Sequence, residues 1–385
     1  MERVKRKNVW TSLFVAFMTL QIVSYFLNSD QYLQLPGMYI FLFCALAVGF
    51  LWTILNIWRK PIRFHQGAVL VILASMAVSA IVNYSVLESG YLLSYLFLMF
   101  MTFLFCSMAL SEGDLKKIGG AYVILAAIIS LLIIVFHKRF YADESNRITI
   151  QLGSNPLIDP NYLGACLVGP SFLSLKAAMS EKKWRKLNWL LTALIVVGMF
   201  MTGSRGALVA WAVGVFIIAC EKFFKNFSRQ KLGFLIIVGA LGVVAALVVI
   251  PPAYLERMFD INTWIDASNL RRFELWKNAL DMIFKRPFFG YGLGNTVETI
   301  GNAAHNSYLE FCAHFGLIGG ITLIVLFFRL IFKKGNVFMR ALALSTAVWA
   351  IFISAEATMF FWLNMSLCIL SERIEREKEG ELKNE

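Results

Sequence analysis

The chain has 385 residues, of which 59% are hydrophobic and 16% are charged, with a formal net charge of +12. Soluble domains contain roughly 45–50% apolar and about 25% charged residues, so this composition excludes an ordinary soluble enzyme and a disordered scaffold. Stretches of about 20 mostly apolar residues, long enough to cross a bilayer, recur along the chain. We therefore predict an all-α integral membrane protein, a single domain over residues 1–385, with the lipid bilayer and no nucleic acid as a partner.

Hydropathy predicts twelve membrane-spanning helices. In chain order they cover residues 9–28, 38–58, 67–86, 91–110, 119–137, 161–178, 187–203, 206–221, 232–250, 306–332, 339–355 and 357–370. The first span is too long for a removable signal peptide and lacks a small-residue cleavage site, so we expect it to stay in the mature protein. The charged tail that follows, residues 371–385, is expected to be a solvated cytoplasmic helix.

Lysine and arginine residues are distributed unevenly between the loops. With twelve spans both termini lie on one side of the membrane, and 26 of the 36 Lys and Arg residues fall on that side. Because cytoplasmic loops are enriched in these residues, we predict that both termini are cytoplasmic. Residues 138–160 and 251–305 then form two long external loops, which hold all but one of the remaining cations.

The one remaining cation outside these loops is Arg205, in the sequence Thr202-Gly203-Ser204-Arg205-Gly206. The stretch from Leu187 to Cys220 is otherwise apolar. As one helix it would measure about 51 Å, too long for one span, so the glycine-rich cluster predicts a tight turn between two short spans. Arg205 then lies at the outer membrane boundary, where it either reaches lipid head groups or forms an anion site.

The second external loop predicts an amphipathic helix within residues 269–287. Its apolar positions are Phe273, Trp276, Ala279, Leu280, Ile283 and Phe284, opposite Lys277, Asp281 and Lys285. We expect this helix to lie on the outer membrane surface. Gly290, Gly292 and Gly294 follow it. Because no strand precedes these glycines, a sharp turn is a better interpretation than a phosphate-binding loop.

His305 comes immediately before the tenth span. Ser307 and Glu310 have the spacing of a capping box, which predicts that a helix begins here. His305 would lie just outside its external end, either as a general base or as an ordinary interfacial histidine. One external carboxylate could orient it; the candidates are Asp143, Glu144, Asp159, Glu298, Glu310 and Glu356.

Four stretches of the sequence occur together. They are Asp159-Pro160-Asn161, Ser204-Arg205-Gly206, Arg272-x-x-x-Trp276 with Pro287-Phe288-Phe289-Gly290-Tyr291-Gly292, and His305-Asn306 followed after nine residues by Gly316-Leu317-Ile318-Gly319. In this combination the chain resembles the O-antigen ligase and polymerase superfamily of bacterial polysaccharide assembly.

The resemblance implies a glycosyltransferase, without metal or cofactor, at the outer face of the bacterial cytoplasmic membrane. Its donor would be a lipid-linked oligosaccharide on undecaprenyl diphosphate. Its acceptor would be a second lipid-linked glycan for a polymerase, lipid A core for a ligase, or a protein or wall polymer. On this basis His305 is the catalytic base. Arg205 and Arg272 would bind the diphosphate, with Arg271 as a neighbour able to assist, and Asn306 is a further candidate for substrate binding.

The alternative function is a transporter or flippase of lipid-linked glycans. A transporter is expected to carry charged residues deep within its spans and to show internal repeats. Neither feature is clear in the sequence.

Overall fold

The computed structural model describes residues 9–27, 40–56, 63–83, 89–136, 159–224, 267–293, 303–333 and 335–380. Each regular element in these ranges is a helix, which confirms the predicted all-α class. Most of both predicted external loops and the span predicted at 232–250 lie outside the described residues.

Thirteen α-helices occur in the described ranges. They are α1 (Val9–Leu27), α2 (Ile40–Asn56), α3 (Phe64–Val82), α4 (Ser89–Ser107), α5 (Glu112–Phe136), α6 (Pro160–Ser180), α7 (Arg185–Met201), α8 (Arg205–Phe224), α9 (Ala267–Lys285), α10 (Ser307–Phe315), α11 (Leu317–Phe332), α12 (Val337–Trp349) and α13 (Met359–Glu379). A 3-10 turn, Ala355–Ala357, precedes α13.

Three of these helices, α3, α5 and α6, are long and apolar enough to cross a membrane. Helices α2, α11 and α12, together with parts of α1 and α4, are shorter apolar segments. The outer side of α5 leaves Ile124, Ile128, Leu131 and Val135 about half exposed. A helix that faces lipid has such an apolar exterior, so the chain is consistent with an integral membrane protein, while the count of twelve spans stays a prediction.

Helix α13 forms the centre of the bundle. From Met359 to Leu370 no residue is more than 3% exposed, and the helix packs against α4, α5 and α12. A helix that is apolar on all sides is stable only when neighbours cover it completely, as they do here.

The single helix predicted over residues 306–332 is wrong, because Gly316 divides it into α10 and α11. Gly316 has φ 85° and ψ 167°, a conformation that glycine adopts without strain. The Phe288 carbonyl approaches so closely that a side chain at position 316 would collide with it. The Leu317 N–H donates to the Pro287 carbonyl at 2.7 Å. The loop after α9 therefore fills the break.

The helices define two ends of the bundle. The site end carries Asn83, Asp159, Ser204, His305 and Ser354, and the charged end carries Arg63, Glu112, Lys333 and Glu372. At the charged end, α13 continues well past the predicted span limit to Glu379.

The expectation that the segment after residue 370 is solvated is wrong for its first turn. Ser371 is 3% and Arg373 is 8% exposed. The Arg373 guanidinium donates to the carbonyls of Cys106, Met108 and Leu110, which follow or end α4. Buried carbonyls at a helix end need donors, and Arg373 supplies them.

Candidate active site

His305 has an unusual backbone. Among the described residues it is the sole non-glycine residue with a positive φ, at 52°. This left-handed conformation costs an L-residue about 1–2 kcal/mol. The His305 N–H donates to Glu310 Oε1 at 2.8 Å, and a hydrogen bond to a charged acceptor contributes about 1.5–3 kcal/mol. The Glu310 carboxylate therefore offsets the strain at His305.

Helix α10 begins one residue earlier than the predicted capping box. Asn306 is the N-cap, and its Oδ1 accepts the N–H groups of Tyr308 at 3.1 Å and Leu309 at 3.2 Å. Ser307 instead donates its hydroxyl to the Ile353 carbonyl and accepts the Ala355 N–H. The predicted capping box of Ser307 and Glu310 is therefore wrong: Asn and Ser are both good caps, and Asn306 occupies the N-cap position.

The N-terminus of α10 has little capacity left for a substrate anion. Besides the two N–H groups that Asn306 binds, the Ser307 N–H donates to the Ala350 carbonyl and the Glu310 N–H to the Asn306 carbonyl. The N–H groups of Ser307, Tyr308 and Leu309, three of the donors that could otherwise bind phosphate, are thus used within the protein. An anion at this place must be held by side chains.

Arg272 is carried to His305 by α9. One turn further along the helix, Trp276 Nε1 donates to the Ala304 carbonyl at 2.9 Å, directly before His305. Leu275, Ala279 and Met282 form a buried cluster with Ala304. These contacts fix the face of α9 that bears Arg272 against the His305 segment.

The predicted apolar face of α9 is only partly correct. Ala279 and Ile283 are buried against α10 and its surroundings, together with Leu275, whereas Phe273 is 65% and Phe284 is 77% exposed. Helix α9 thus has two apolar sides, and α10 covers one of them. The sequence pattern predicted a single apolar face because it does not distinguish these two sides.

Electrostatics favour the neutral form of the His305 imidazole. Burial and then the positive charge of Arg272 lower the pKa of His305 below its ordinary 6.5, while Glu310 and Asp159 act in the opposite direction. Arg271, the alternative to Arg272, is exposed. The charge next to His305 is therefore that of Arg272.

Arg205 opens α8 directly after the predicted tight turn. Ser204 in that turn is 1% exposed and lies against Gly164 of α6, and Gly206 lies against Phe352. Phe352 belongs to the segment that bonds to Ser307 through Ile353. The turn and the His305 segment thus share the site end of the bundle.

The glycines after α9 have a structural role. Gly290 and Gly292 have φ 65° and 77°. The N–H groups of Tyr291 and Gly292 donate to the carbonyls of Ala313 and His314, at the C-terminal end of α10. This supports the turn interpretation for the described glycines: the loop satisfies the carbonyl end of α10.

Two of the six candidate carboxylates for orienting His305, Glu310 and Glu356, are buried at the site end. Glu310 is 4% exposed and Glu356 is 0% exposed. Burial and the charge of Glu310 raise the pKa of Glu356, in the 3-10 turn, well above its usual range. The signal that was available is an acidic residue, Glu356, between two strongly apolar spans.

Comparisons with known proteins extend this description. Residues 190–324, which include Arg205, Arg272, His305 and Gly316, match the sequence model described as O-antigen ligase. The chain is 24% identical over 61% of its length to the ComP-specific O-oligosaccharyltransferase of Acinetobacter baylyi. It is 28% identical over 36% of its length to an uncharacterized protein of Haemophilus influenzae. The matches cover 46% and 41% of these relatives, so the chain spans less than half of their length.

Proposed function

Taking residues 190–324 as a domain of the O-antigen ligase family, we propose that this protein is a membrane glycosyltransferase. It transfers a glycan from an undecaprenyl-diphosphate-linked donor to an acceptor hydroxyl outside the bacterial cytoplasmic membrane. Both termini are cytoplasmic and the site end faces outward. The reaction needs neither a metal nor a cofactor, because the sugar–phosphate bond supplies the energy.

One observation supports the proposal: Arg272 lowers the pKa of His305, and Trp276 docks the helix that carries Arg272 against the residue before His305. The base form of histidine is the neutral imidazole, which burial and Arg272 both favour. The same guanidinium is suited to bind an anionic leaving group. His305, the base for the acceptor hydroxyl, and Arg272, the cation for the donor diphosphate, are thus neighbours.

The chemistry follows from these two groups. The acceptor oxygen attacks the anomeric carbon, and its proton moves to the His305 imidazole as the new carbon–oxygen bond forms. The bond between the anomeric carbon and the phosphate oxygen breaks, and the electron pair leaves with the lipid diphosphate. Negative charge grows on that leaving group, where a guanidinium stabilises it by paired hydrogen bonds.

Arginine side chains are assigned this role because the N–H groups of Ser307, Tyr308 and Leu309 at the start of α10 are used within the protein. We assign the diphosphate to Arg272 and Arg205, and Arg271 assists from the solvent side of α9. Asn306 binds the substrate only through its amide nitrogen, since its Oδ1 caps α10. Planar guanidinium groups match phosphate oxygens better than lysine does.

The acceptor distinguishes a ligase from a polymerase. The name of the Acinetobacter relative describes transfer of an oligosaccharide to a specific partner. For this chain we propose single transfer of a preassembled oligosaccharide, as a ligase performs it, with stepwise polymerisation as the other outcome of the test.

The experiment uses the full chain in liposomes with a purified, labelled undecaprenyl-diphosphate oligosaccharide. The donor is supplied alone, with lipid A core, or with a candidate protein acceptor, each with and without a chelator. We expect one product band with an acceptor present, insensitive to the chelator; a ladder from donor alone would indicate a polymerase. Movement of labelled lipid across the bilayer without any transfer would contradict the proposal and favour a transporter.

A further inference from the structure

The Glu310 side chain joins the His305 backbone to a second segment of the chain. Its Oε1 accepts the His305 N–H at 2.8 Å and the Ser354 hydroxyl at 2.9 Å. The Ser354 carbonyl in turn accepts the Tyr162 hydroxyl at 3.4 Å, from the first turn of α6. One carboxylate oxygen therefore fixes His305 relative to the 350–357 segment and, through it, to α6.

The titratable groups that face this carboxylate come from four elements. They are Tyr95 from α4, Tyr162 from α6, Glu356 from the 3-10 turn, and His305 and His314 at the two ends of α10. Arg272 and Asp159 act on His305, and Asp159 also acts on Tyr162. The donors that bond to the Glu310 side chain itself are the His305 N–H and the Ser354 hydroxyl.

The second carboxyl group completes the arrangement. Glu356 lies within hydrogen-bond distance of Glu310 and accepts the Tyr95 hydroxyl at 3.5 Å. Two adjacent buried carboxyl groups cannot both be ionised cheaply, so one of them keeps a proton. Glu310 already accepts two hydrogen bonds at one oxygen, whereas burial and then the charge of Glu310 raise the pKa of Glu356. The proton then resides on Glu356, which donates it to Glu310.

We propose that Glu310 is a positioning residue, which holds the catalytic base His305 in its left-handed conformation and is itself held by protonated Glu356. The inference rests on the proposed function for the role of His305 as a base. Glu310 does not contact the reacting atoms. Glu310 acts through the backbone of His305. The His305 φ of 52° sets the direction in which the imidazole projects from the main chain.

Two substitutions at one position separate the hydrogen bond from the charge. Glu310→Gln keeps an oxygen that accepts the His305 N–H, and its amide donates to Glu356. Glu310→Ala removes the acceptor. Because a displacement of about 1 Å at a reacting group can reduce the rate roughly 100-fold, we expect kcat to fall about 10- to 100-fold in Glu310→Ala, with donor binding retained. Glu310→Gln should restore most of kcat.

The effect of the Glu310 charge is measured separately, by titrating the His305 imidazole. Its imidazole is followed by NMR in lipid nanodiscs with labelled histidine and assigned with His305→Gln. Glu310 raises the His305 pKa, so Glu310→Gln should shift the titration to lower pH. Glu356→Gln replaces a neutral donor by another neutral donor and should leave it unchanged. Glu274→Gln, an exposed carboxylate of α9, is the matched control and should leave kcat and the titration unchanged.

The results that would overturn this inference differ from the results that would overturn the proposed function. An unchanged His305 titration in Glu310→Gln, or a shift in Glu356→Gln equal to the one expected for Glu310→Gln, would overturn the inference. So would full kcat in Glu310→Ala. Because the titration needs no turnover, absence of glycan transfer in the unmodified protein would count against the proposed function and leave the positioning role to the NMR result.

Discussion

The two ends of the bundle use buried acidic residues in opposite ways. At the charged end, Glu372 lies 2.9 Å from the Lys333 ammonium, 3.2 Å from the Arg376 guanidinium and 3.1 Å from the His65 imidazole. At the site end, the Glu310 carboxylate accepts hydrogen bonds from a main-chain N–H and a serine hydroxyl. The first acid links helices through cations, whereas the second fixes the backbone of one residue.

This difference shows what the positive charges contribute. Arg329, Lys333 and Arg376 at the charged end surround Glu372, and the number of lysines and arginines there is the basis on which we propose that this end is cytoplasmic. Arg272 at the site end acts instead on a histidine. The same residue type thus pairs with a carboxylate at one end and lowers the pKa of a histidine at the other.

If the site end and the charged end have these different roles, we expect them to lie on opposite sides of the membrane. In a background without native cysteines, Asn278→Cys on the exposed side of α9 should react with an impermeant external reagent. Lys182→Cys, in the exposed turn after α6, should react only after permeabilisation. This all-or-none contrast is the largest effect we expect. The reverse pattern would invert the topology and remove the proposed external site.

Substitution of His305 should have the largest kinetic effect. Loss of a positioned general base typically reduces the rate about 10²- to 10⁴-fold, so His305→Ala should bind donor but transfer glycan very slowly. The measurement is single-turnover transfer from labelled donor. His314→Ala, at the other end of α10, should affect stability more than the rate. Near-normal transfer by His305→Ala would mean that the base lies elsewhere.

Arg272 and Arg271 provide a test within two adjacent residues. Arg272→Ala removes charge-assisted hydrogen bonds of about 1.5–3 kcal/mol, which corresponds to a rate loss of roughly 10- to 100-fold. Arg272→Lys should recover little, because lysine lacks the planar fork. Arg271 is exposed, so Arg271→Ala should retain most of the activity. Equal losses for both alanine variants in the transfer assay would contradict this assignment.

These expectations depend on what the sequence could and could not reveal. Hydropathy located most described helices, because twenty apolar residues have few other structures available. It missed the break at Gly316, since the residues on both sides are apolar and the cause is the distant Phe288 carbonyl. Motif spacing predicted His305 and Arg272 as site residues, and the bond from Trp276 to the Ala304 carbonyl docks the helix of Arg272 against the His305 segment.

The carboxylate pair was beyond local reasoning for a different reason. Glu310 and Glu356 are separated by 45 intervening residues. Their environment depends on Tyr95, Tyr162 and Ser354, which the chain brings together only on folding. Composition and periodicity describe what a residue prefers but not which distant donors will surround it.

At the charged end, substitution should change stability and leave catalysis intact. Glu372→Gln weakens three close contacts of a side chain that is 10% exposed. We expect a loss of about 1–2 kcal/mol and a fall in melting temperature of roughly 1–3 °C. Glu377→Gln on the same helix, where the carboxylate is 47% exposed, should have a smaller effect. A changed kcat for Glu372→Gln at a permissive temperature would break the separation of the two ends.

The smallest expected effect is a shift in pH dependence. Because burial and Arg272 lower the His305 pKa, transfer should already rise with pH below 6.5 and reach a plateau near neutrality. Arg272→Ala removes the cation that disfavours the imidazolium form, so the rise should move to higher pH, measured as kcat/KM against pH. Lys277→Ala removes an exposed cation one turn further along α9 and is the matched control, with no shift expected. A shift to lower pH in Arg272→Ala would contradict this prediction. It would mean that the Arg272 guanidinium does not lower the pKa of His305.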